Sequence, residues 1–381
     1  MTTTRHERRW IGTALPRLED ERLLRGRGRY LDDVRLNAPP VIVHFVRSPH
    51  AHARIVRIQT ASAQKAPGVL AVWTASDLGQ FLRPLPMLYG VTSGLEHTAL
   101  PLASERVHFA GEPVVAIVAE SRYHAEDAAD QVQIEYEPLP VVTRLQEAAA
   151  ADAPLVHADR PGNVAAHERQ RIGDPEAALQ QAPHRLRFTL TIHRGSAQPL
   201  EPRGLLAEPR PDGGLTVWAS TQRPHAVRQV LAQMLELDPE RIRVITPDVG
   251  GGFGVKLYVY PEEVFTAWAA LQLGRPAKWV EDRREHFLAA MHERDQIHEL
   301  EVGFDDEGRI IALRDRIFHD NGAYTPYGAA VLYNALTHIP GPYRVEHLEL
   351  EAWSLYTNLA PTGPYRGAGR PEAAYLCERV I

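Results

Sequence analysis

The clearest hydrophobic signal in the chain is Pro113-Val114-Val115-Ala116-Ile117-Val118-Ala119, seven residues without a charge and rich in β-branched side chains, which predicts a fully buried strand. A helix over Tyr123 to Val132 follows, and the alternation in Gln131-Val132-Gln133-Ile134-Glu135-Tyr136 predicts an exposed-edge strand. Upstream, VIVHFVRSPHAHARIVRI (41–58) reads as two short strands around a turn at Ser48-Pro49, and VLAVWTASDL as a strand entering a short helix. This α/β region ends near Pro140. From Glu147 to about Ala182 the text turns to Ala, Asp, Pro and Gly (AAAADAPLVHADRPGNVAA), which predicts an extended connection and a domain boundary.

Strands are predicted again over Arg185 to Ile192 and Leu215 to Ser220, followed by a helix over Pro224 to Leu235. In that helix Val227, Val230, Leu231, Met234 and Leu235 fall on one stripe. The strand Arg241 to Ile245 runs into Pro247-Asp248-Val249-Gly250-Gly251-Gly252-Phe253-Gly254-Val255-Lys256. The next helix has Pro261 in its first turn, Glu262 and Glu263 at its positive end and Gly274 just past its close. Leu300, Val302 and Phe304 alternate, Asp305-Asp306-Glu307-Gly308 turns, and Ile310 to Ile317 returns as a hairpin partner. A last helix is predicted over Glu372 to Val380.

Composition narrows the chemistry. The 381 residues suggest two or three domains, and Lys+Arg 42 against Asp+Glu 48 gives a net charge of -6, which asks for no nucleic-acid partner. The single cysteine, Cys377, excludes an internal disulfide, a four-thiolate zinc site and an iron–sulfur cluster. The N-terminus has basic residues but no apolar stretch behind them, so it reads as no export signal and the expected location is cytoplasmic. The longest apolar run is about that of Val114 to Ala119, far short of the roughly 18 residues a membrane span needs.

The strongest local motif is Gly250 to Gly254, four glycines in five positions, which lets backbone N–H groups approach a bulky or anionic ligand closely. A ligand-free strand-to-helix connection is the competing reading. It is not a dinucleotide fingerprint, because the third required glycine falls on Val255 or on Leu257, and no Ser or Thr follows Lys256 as in a P-loop. The histidines lack metal-ligand spacing: His292 and His298 make no HExxH helix, and His50-Ala51-His52 would place two rings on one side of a strand with no further ligand. No GxSxG elbow occurs. Glu262-Glu263 and Asp305-Asp306 read as solvated or capping acids. Near the end, Thr362 to Glu372 (TGPYRGAGRPE) combines a second glycine loop with two arginines suited to an anion. Two such loops, each leading toward a helix, suggest one large polar cofactor.

These residues carry a resemblance. The chain resembles the molybdenum-cofactor subunit of the xanthine dehydrogenase, aldehyde oxidase and carbon monoxide dehydrogenase family from residue 9 onward. The matching motifs run through Leu15 to Asp20, Gly26 to Tyr30, Phe45 to Ala53, Gly111 to Val114, Pro199 to Arg203, Ser220-Thr221-Gln222, the GGGFG loop and Tyr365 to Arg370. The resemblance implies an α+β fold: an N-terminal extension (1–25), an a/b hammerhead domain (26–145), a linker (146–182) and the first, incomplete part of a molybdenum cofactor-binding domain (183–381). It also implies roles. Gln222 matches the glutamine that hydrogen-bonds the apical oxo ligand of molybdenum; Gly251, Gly252, Phe253 and Gly254 match the loop packed against the metal centre and pterin; Arg366, Gly367 and Ala368 match the second cofactor loop. The cofactor would be molybdenum-molybdopterin, in plain or cytosine dinucleotide form.

Departures narrow the substrate. Xanthine-oxidising members carry a glutamate where this chain has Leu257, a purine-binding arginine where it has Asn334, and a stacking phenylalanine where it has Ala368, so purine is not the expected substrate. The copper-containing carbon monoxide dehydrogenases carry a cysteine where this chain has Gly367, so carbon monoxide oxidation is not expected either. The YRGAGR loop resembles form II members, which act on aldehydes and aromatic N-heterocycles. The family's catalytic base lies several hundred residues later in full-length members, and losing such a base removes ~10² to 10⁴ of rate. The expectation is therefore a fragment or split subunit, with no catalytic residue and no protein metal ligand of its own. It would work with the C-terminal half of the molybdenum subunit, a 2Fe-2S subunit and an FAD subunit, hydroxylating a small molecule with water as oxygen source. The alternative is an inactive truncated or assembly module of the same fold.

Overall fold

The computed structural model describes residues 11–87, 97–327 and 329–381. The first ten residues, on which part of the export-signal expectation rests, lie outside the described residues. The fold is α+β, with four sheets and helices packed on the seven- and five-stranded ones.

Pro113–Ala119 forms the expected strand, and all seven residues are buried. Its two faces enter different cores: Ala116 and Val118 join the main core, while Val115 and Ile117 face a second one with Ala125 and Ala128 of the helix Arg122–Ala129. Covering on both faces explains a continuous apolar run in place of alternation. The strand lies between Val41–Arg47 and Val69–Thr74. The sheet does not stop at the expected domain boundary. Val41 and Ile42 pair in parallel with Ala277 and Lys278, and the sheet continues through Gly204–Pro209 and Leu215–Ala219 to Ile242–Ile245, seven strands in all. Across this join the helix Pro261–Leu273 packs Phe265 edge-on against Phe45 at 5.5 Å.

A five-stranded sheet is ordered Val164–Ile172, His347–Tyr356, Ile310–Gly322, Gln296–Phe304 and His184–Ile192. One face, with Leu300, Val302, Leu313, Ile317, Leu348 and Leu350, is covered by the helices Ala330–His338 and Arg370–Val380. The other carries cross-strand ion pairs of Arg169, Arg185, Arg187 and Arg314 with Glu301 and Glu349. Alternation along these strands separates an apolar from a charged face.

Three local expectations are corrected. The stretch 146–182 is not an extended connection: it holds the edge strand Val164–Ile172 and the helix Pro175–Gln181, with Ala148 and Val156 in a small core. Its strand is polar on most positions because it buries little and is held by pairs such as Arg169 with Glu349. His50 and His52 stand in a loop before the strand Ala53–Gln59, and His52 is buried with Nδ1 2.8 Å from the Pro140 carbonyl oxygen. Glu262 and Glu263 are not solvated. Glu263 caps its helix by accepting from the Tyr260 N–H, and burial pushes its carboxyl up to about 8. Glu262 pairs at 2.7 Å with Arg47, which also meets Glu285 at 3.0 Å, an ionic tie between the two halves.

A second tie is made of rings. His97 and His157 stack at 3.9 Å, His108 lies 4.8 Å from His157, and the Tyr324 hydroxyl donates to Glu112. Burial takes His108 down to about 3 and His157 to about 4, and pushes Glu112 up to about 7. The rings therefore stay neutral near pH 7.

Candidate functional site

Strands Leu215–Ala219 and Ile242–Ile245 are parallel neighbours, with Trp218 opposite Ile245. Their carboxyl ends therefore open on the same edge, the usual place for a ligand in such a sheet. One end leads through Ser220, Thr221 and Gln222 into the helix Pro224–Leu235, and the other leads into the first glycine loop. Adjacency in the sheet thus brings Gln222 to Gly250–Gly254 although 28 residues or more separate them in the chain.

The contact is tight. Gln222 Oε1 accepts from the Gly254 N–H at 2.9 Å, and the Gln222 N–H donates to the Lys256 carbonyl oxygen at 3.0 Å. A Cβ on Gly252 would lie 2.5 Å from Gln222 Oε1. With Oε1 occupied, the amide nitrogen is what Gln222 offers outward, and its side chain is exposed. Phe253 is 43% exposed and adopts φ 51°, between Gly251 at 101° and Gly254 at 110°. A left-handed phenylalanine costs of order 1–3 kcal/mol and marks a loop shaped for something besides its own stability.

The second loop runs from the short strand Thr362–Gly363 to the helix Arg370–Val380. Gly367, Ala368 and Gly369 are all left-handed, at φ 117°, 46° and 94°. The structure joins this loop to the first: the Arg366 N–H donates to the Phe253 carbonyl oxygen at 3.0 Å, and a Cβ on Gly254 would fall on the Pro364 carbonyl oxygen. Glycine at 254 is what permits this approach. Among the described residues, the N–H groups of Gly251, Gly252, Phe253 and Gly367 have no protein partner. Gln222, these four amides and exposed Arg366 make a donor-rich surface suited to an anion.

The two residues expected at a substrate pocket, Leu257 and Asn334, lie at different loops. Asn334 sits behind the second loop, where a Cβ on Gly369 would lie 2.8 Å from its Cβ, next to Ala368. Leu257 ends the turn after the first loop and packs partly into the main core.

The sequence did not reveal the residue that braces the first loop. Glu201 accepts through Oε2 from Ser220 Oγ at 2.6 Å, the Gly250 N–H at 2.7 Å and Lys256 Nζ at 3.0 Å, and through Oε1 from the Leu31 N–H at 3.2 Å. Burial pushes this carboxyl up, yet the hydrogen bonds from Ser220, Gly250 and Lys256 outweigh it and hold it below its usual range. Burial draws Lys256 below its own range, and Glu201 offsets part of that. Two residues on, fully buried Arg203 pairs with Glu281 at 2.6 Å, and Glu281 meets His286 at 2.7 Å. At the loop's root Arg22 forks onto Asp248 at 2.5 and 2.8 Å, and these bonds take Asp248 down to about 2. Glu201 and Ser220 belong to quoted motifs, but their partners lie up to 170 residues away, beyond any local pattern.

Comparison with known proteins places this geometry. Residues 156–381 match the molybdopterin cofactor-binding domain family, and residues 25–140 match the aldehyde oxidase and xanthine dehydrogenase a/b hammerhead domain. The chain is 39% identical over 379 residues to the 6-hydroxypseudooxynicotine dehydrogenase complex subunit gamma of Paenarthrobacter nicotinovorans, covering 98% of itself and 47% of that protein. It is 31% identical over 332 residues to the nicotinate dehydrogenase large molybdopterin subunit of Eubacterium barkeri, covering 87% of itself and 76% of that protein. The fold superposes on quinoline 2-oxidoreductase from Pseudomonas putida 86 with a TM-score of 0.89 and 36% identity, over 97% of this chain and 48% of the other. The chain thus spans about half the length of the first and third of these proteins.

Proposed function

The chain belongs to the molybdopterin-binding family of the xanthine dehydrogenase and aldehyde oxidase type, and from this premise we propose that it forms one wall of a molybdopterin site in a hydroxylase of aromatic N-heterocycles. The observation that carries the reading is the hydrogen bond from the Arg366 N–H to the Phe253 carbonyl oxygen, which sets two glycine loops and Gln222 around one donor-rich surface. The residues fit such a group: unspent N–H groups line the surface, and the glycines leave it open where Cβ atoms would intrude. The amides of Gly251, Gly252, Phe253 and Gly367 would hold the anionic cofactor, with Arg366 balancing its charge. Gln222, locked by Gly254, would present its amide nitrogen to an oxygen ligand.

When bound, the cofactor supplies the two-electron redox step of the hydroxylation. The chain's own residues bind and orient it, and the rigid Glu201–Lys256 brace keeps the donors in place before the cofactor arrives. The N-heterocycle assignment is supported by relatives named for nicotine, nicotinate and quinoline chemistry. The 2Fe-2S group and the FAD would sit on partner subunits, as the relatives named as subunits of larger dehydrogenases suggest. Among the described residues no helix is long and apolar enough to cross a membrane.

A second reading is a module that keeps the fold and binds partners only. One experiment separates the two. The chain is purified with its co-expressed neighbours, molybdenum and released pterin are quantified, and turnover of nicotinate and quinoline is followed with an artificial electron acceptor. About one molybdenum and one pterin per chain, with hydroxylated product, is the expected result. A metal-free, pterin-free complex that contains the complementary half leaves only the binding-module reading.

A further inference from the structure

The foot of the second loop holds a strained arginine that the proposed function does not use. Strand His292–Glu293 runs parallel to Thr362–Gly363, with His292 opposite Thr362 and Glu293 opposite Gly363, so residue 294 emerges beside residue 364. There Arg294 and Asp295 adopt φ 59° and 70°, two consecutive left-handed residues neither of which is glycine. Asp295 is pinned on both sides: its carboxylate accepts from Arg194 Nε at 2.9 Å and its carbonyl oxygen from the Asp320 N–H at 3.0 Å. The strained turn has one visible consequence, the direction of the Arg294 side chain. Its guanidinium carbon lies 4.9 Å from the centroid of the Tyr365 ring, with Nη1 3.0 Å from Glu293 Oε2 and Nε 3.9 Å from Glu372 Oε1.

Both acids face that cation, Glu293 closely and Glu372 at longer range. Glu372 is 2% exposed, and neither its Oε2 nor Glu293 Oε2 has a hydrogen-bond partner among the described residues, so their contacts with Arg294 are ionic. Burial lifts both carboxyls; Arg294 pulls Glu293 back while Glu372 raises it further, and Glu372 is pulled back first by its own backbone N–H, then by Arg294 and the Gly369 N–H. Gly195 is part of the arrangement, since a Cβ there would fall on Glu293 Oε1. A guanidinium can lie flat on a ring while its edge serves two carboxylates, which an ammonium cannot do.

We propose that Arg294 is the positioning residue of the second loop: by stacking on Tyr365 and bridging Glu293 and Glu372 it fixes where the next amide, that of Arg366, meets the Phe253 carbonyl oxygen. Its value to the cofactor rests on the functional reading above, while its effect on the loop does not. The test uses the full chain together with the polypeptides that co-purify with it, as wild type, Arg294→Lys, Arg294→Met, Tyr365→Leu, Tyr365→Phe and the Arg294→Met/Tyr365→Leu double variant. Hydrogen exchange is followed at the Arg366 amide, and pterin retained after gel filtration is counted. Arg294→Met and Tyr365→Leu should each speed Arg366 exchange at least tenfold, with the helix Pro261–Leu273 unchanged. The double variant should be no faster than the worse single, because both break one contact. Arg294→Lys, which keeps charge but not the flat stack, should be intermediate, and Tyr365→Phe should match wild type; these two carry the test if Arg294→Met does not fold. Pterin retention should fall in the same order. Unchanged Arg366 exchange in Arg294→Met, full rescue by lysine, or additive effects in the double variant would each overturn the proposal. Exchange that responds as expected in a wild type that retains no pterin would support the positioning role and overturn the functional reading alone.

Discussion

The two glycine loops share one surface but are held in opposite ways. The first is braced by a carboxylate with more donors than it needs: Glu201 collects Ser220, Gly250, Lys256 and Leu31, and stays ionised below its usual range. The second stands on two carboxylates with too little compensation, Glu293 and Glu372, lifted by burial and sharing Arg294. One loop is preorganised by satisfied charge, and the other, on our proposal, takes its position from Arg294. A site built this way has a fixed half and an adjustable half, and the hydrogen bond from Arg366 to Phe253 is where they meet.

The comparison is broken most severely at the first brace. Glu201→Ala leaves Lys256 Nζ in the interior without its carboxylate, and breaking such a pair should cost about 3–5 kcal/mol in urea unfolding. The double variant Glu201→Ala/Lys256→Met should recover part of that loss, and a double no better than the single would mean the pair is not the brace. Next in size is Gly254→Ala, which adds left-handed strain and a clash with the Pro364 carbonyl oxygen, roughly 3 kcal/mol together, and which should also lower pterin content. At the second loop the matching change, Glu372→Gln, should be neutral or slightly stabilising, within about 0.5 kcal/mol, because it removes an under-compensated charge. Destabilisation there as large as at Glu201 would erase the contrast. Gln222→Ala should likewise change stability by no more than about 0.5 kcal/mol, for an exposed side chain, with cofactor retention falling all the same.

Acidity should separate the loops as well. Glu201, held low, contributes stability that is present above its unfolded value near 4.5 and is lost as pH falls through its depressed folded value. Glu293 and Glu372, held high, act in the other sense: their contribution is greatest in acid and is lost as pH rises from about 4.5 through their raised values. Exchange protection, corrected for intrinsic rates, should therefore weaken at the Gly250 amide on acidification and at the Arg366 amide on the alkaline side. The same trend at both amides would contradict the contrast.

Much of this was legible locally. Pro113–Ala119 and Pro224–Leu235 announce themselves because burial on two faces and on one stripe leave different periods in the sequence. Both loops were visible because glycine is where a backbone must come close. The edge strand Val164–Ile172 was not, since a strand that buries little and pairs Arg169 with Glu349 shows no apolar alternation. Glu262 and Glu263 read as solvated or capping; Glu263 does cap, but the burial of Glu262 was hidden because its partner Arg47 comes from a strand more than 200 residues earlier. Glu201 with Lys256 and Arg294 with Tyr365 were hidden for the same reason: each pair is made by sheet register, which only the fold supplies.

The most direct test of the central claim is hydrogen exchange of the chain in its complex, with and without molybdopterin. The amides of Gly251, Gly252, Phe253 and Gly367 should gain protection together on binding, more at Gly367 than in the already rigid first loop. Protection appearing elsewhere, with those four amides unchanged, would contradict the assignment of this surface as a wall of the cofactor site.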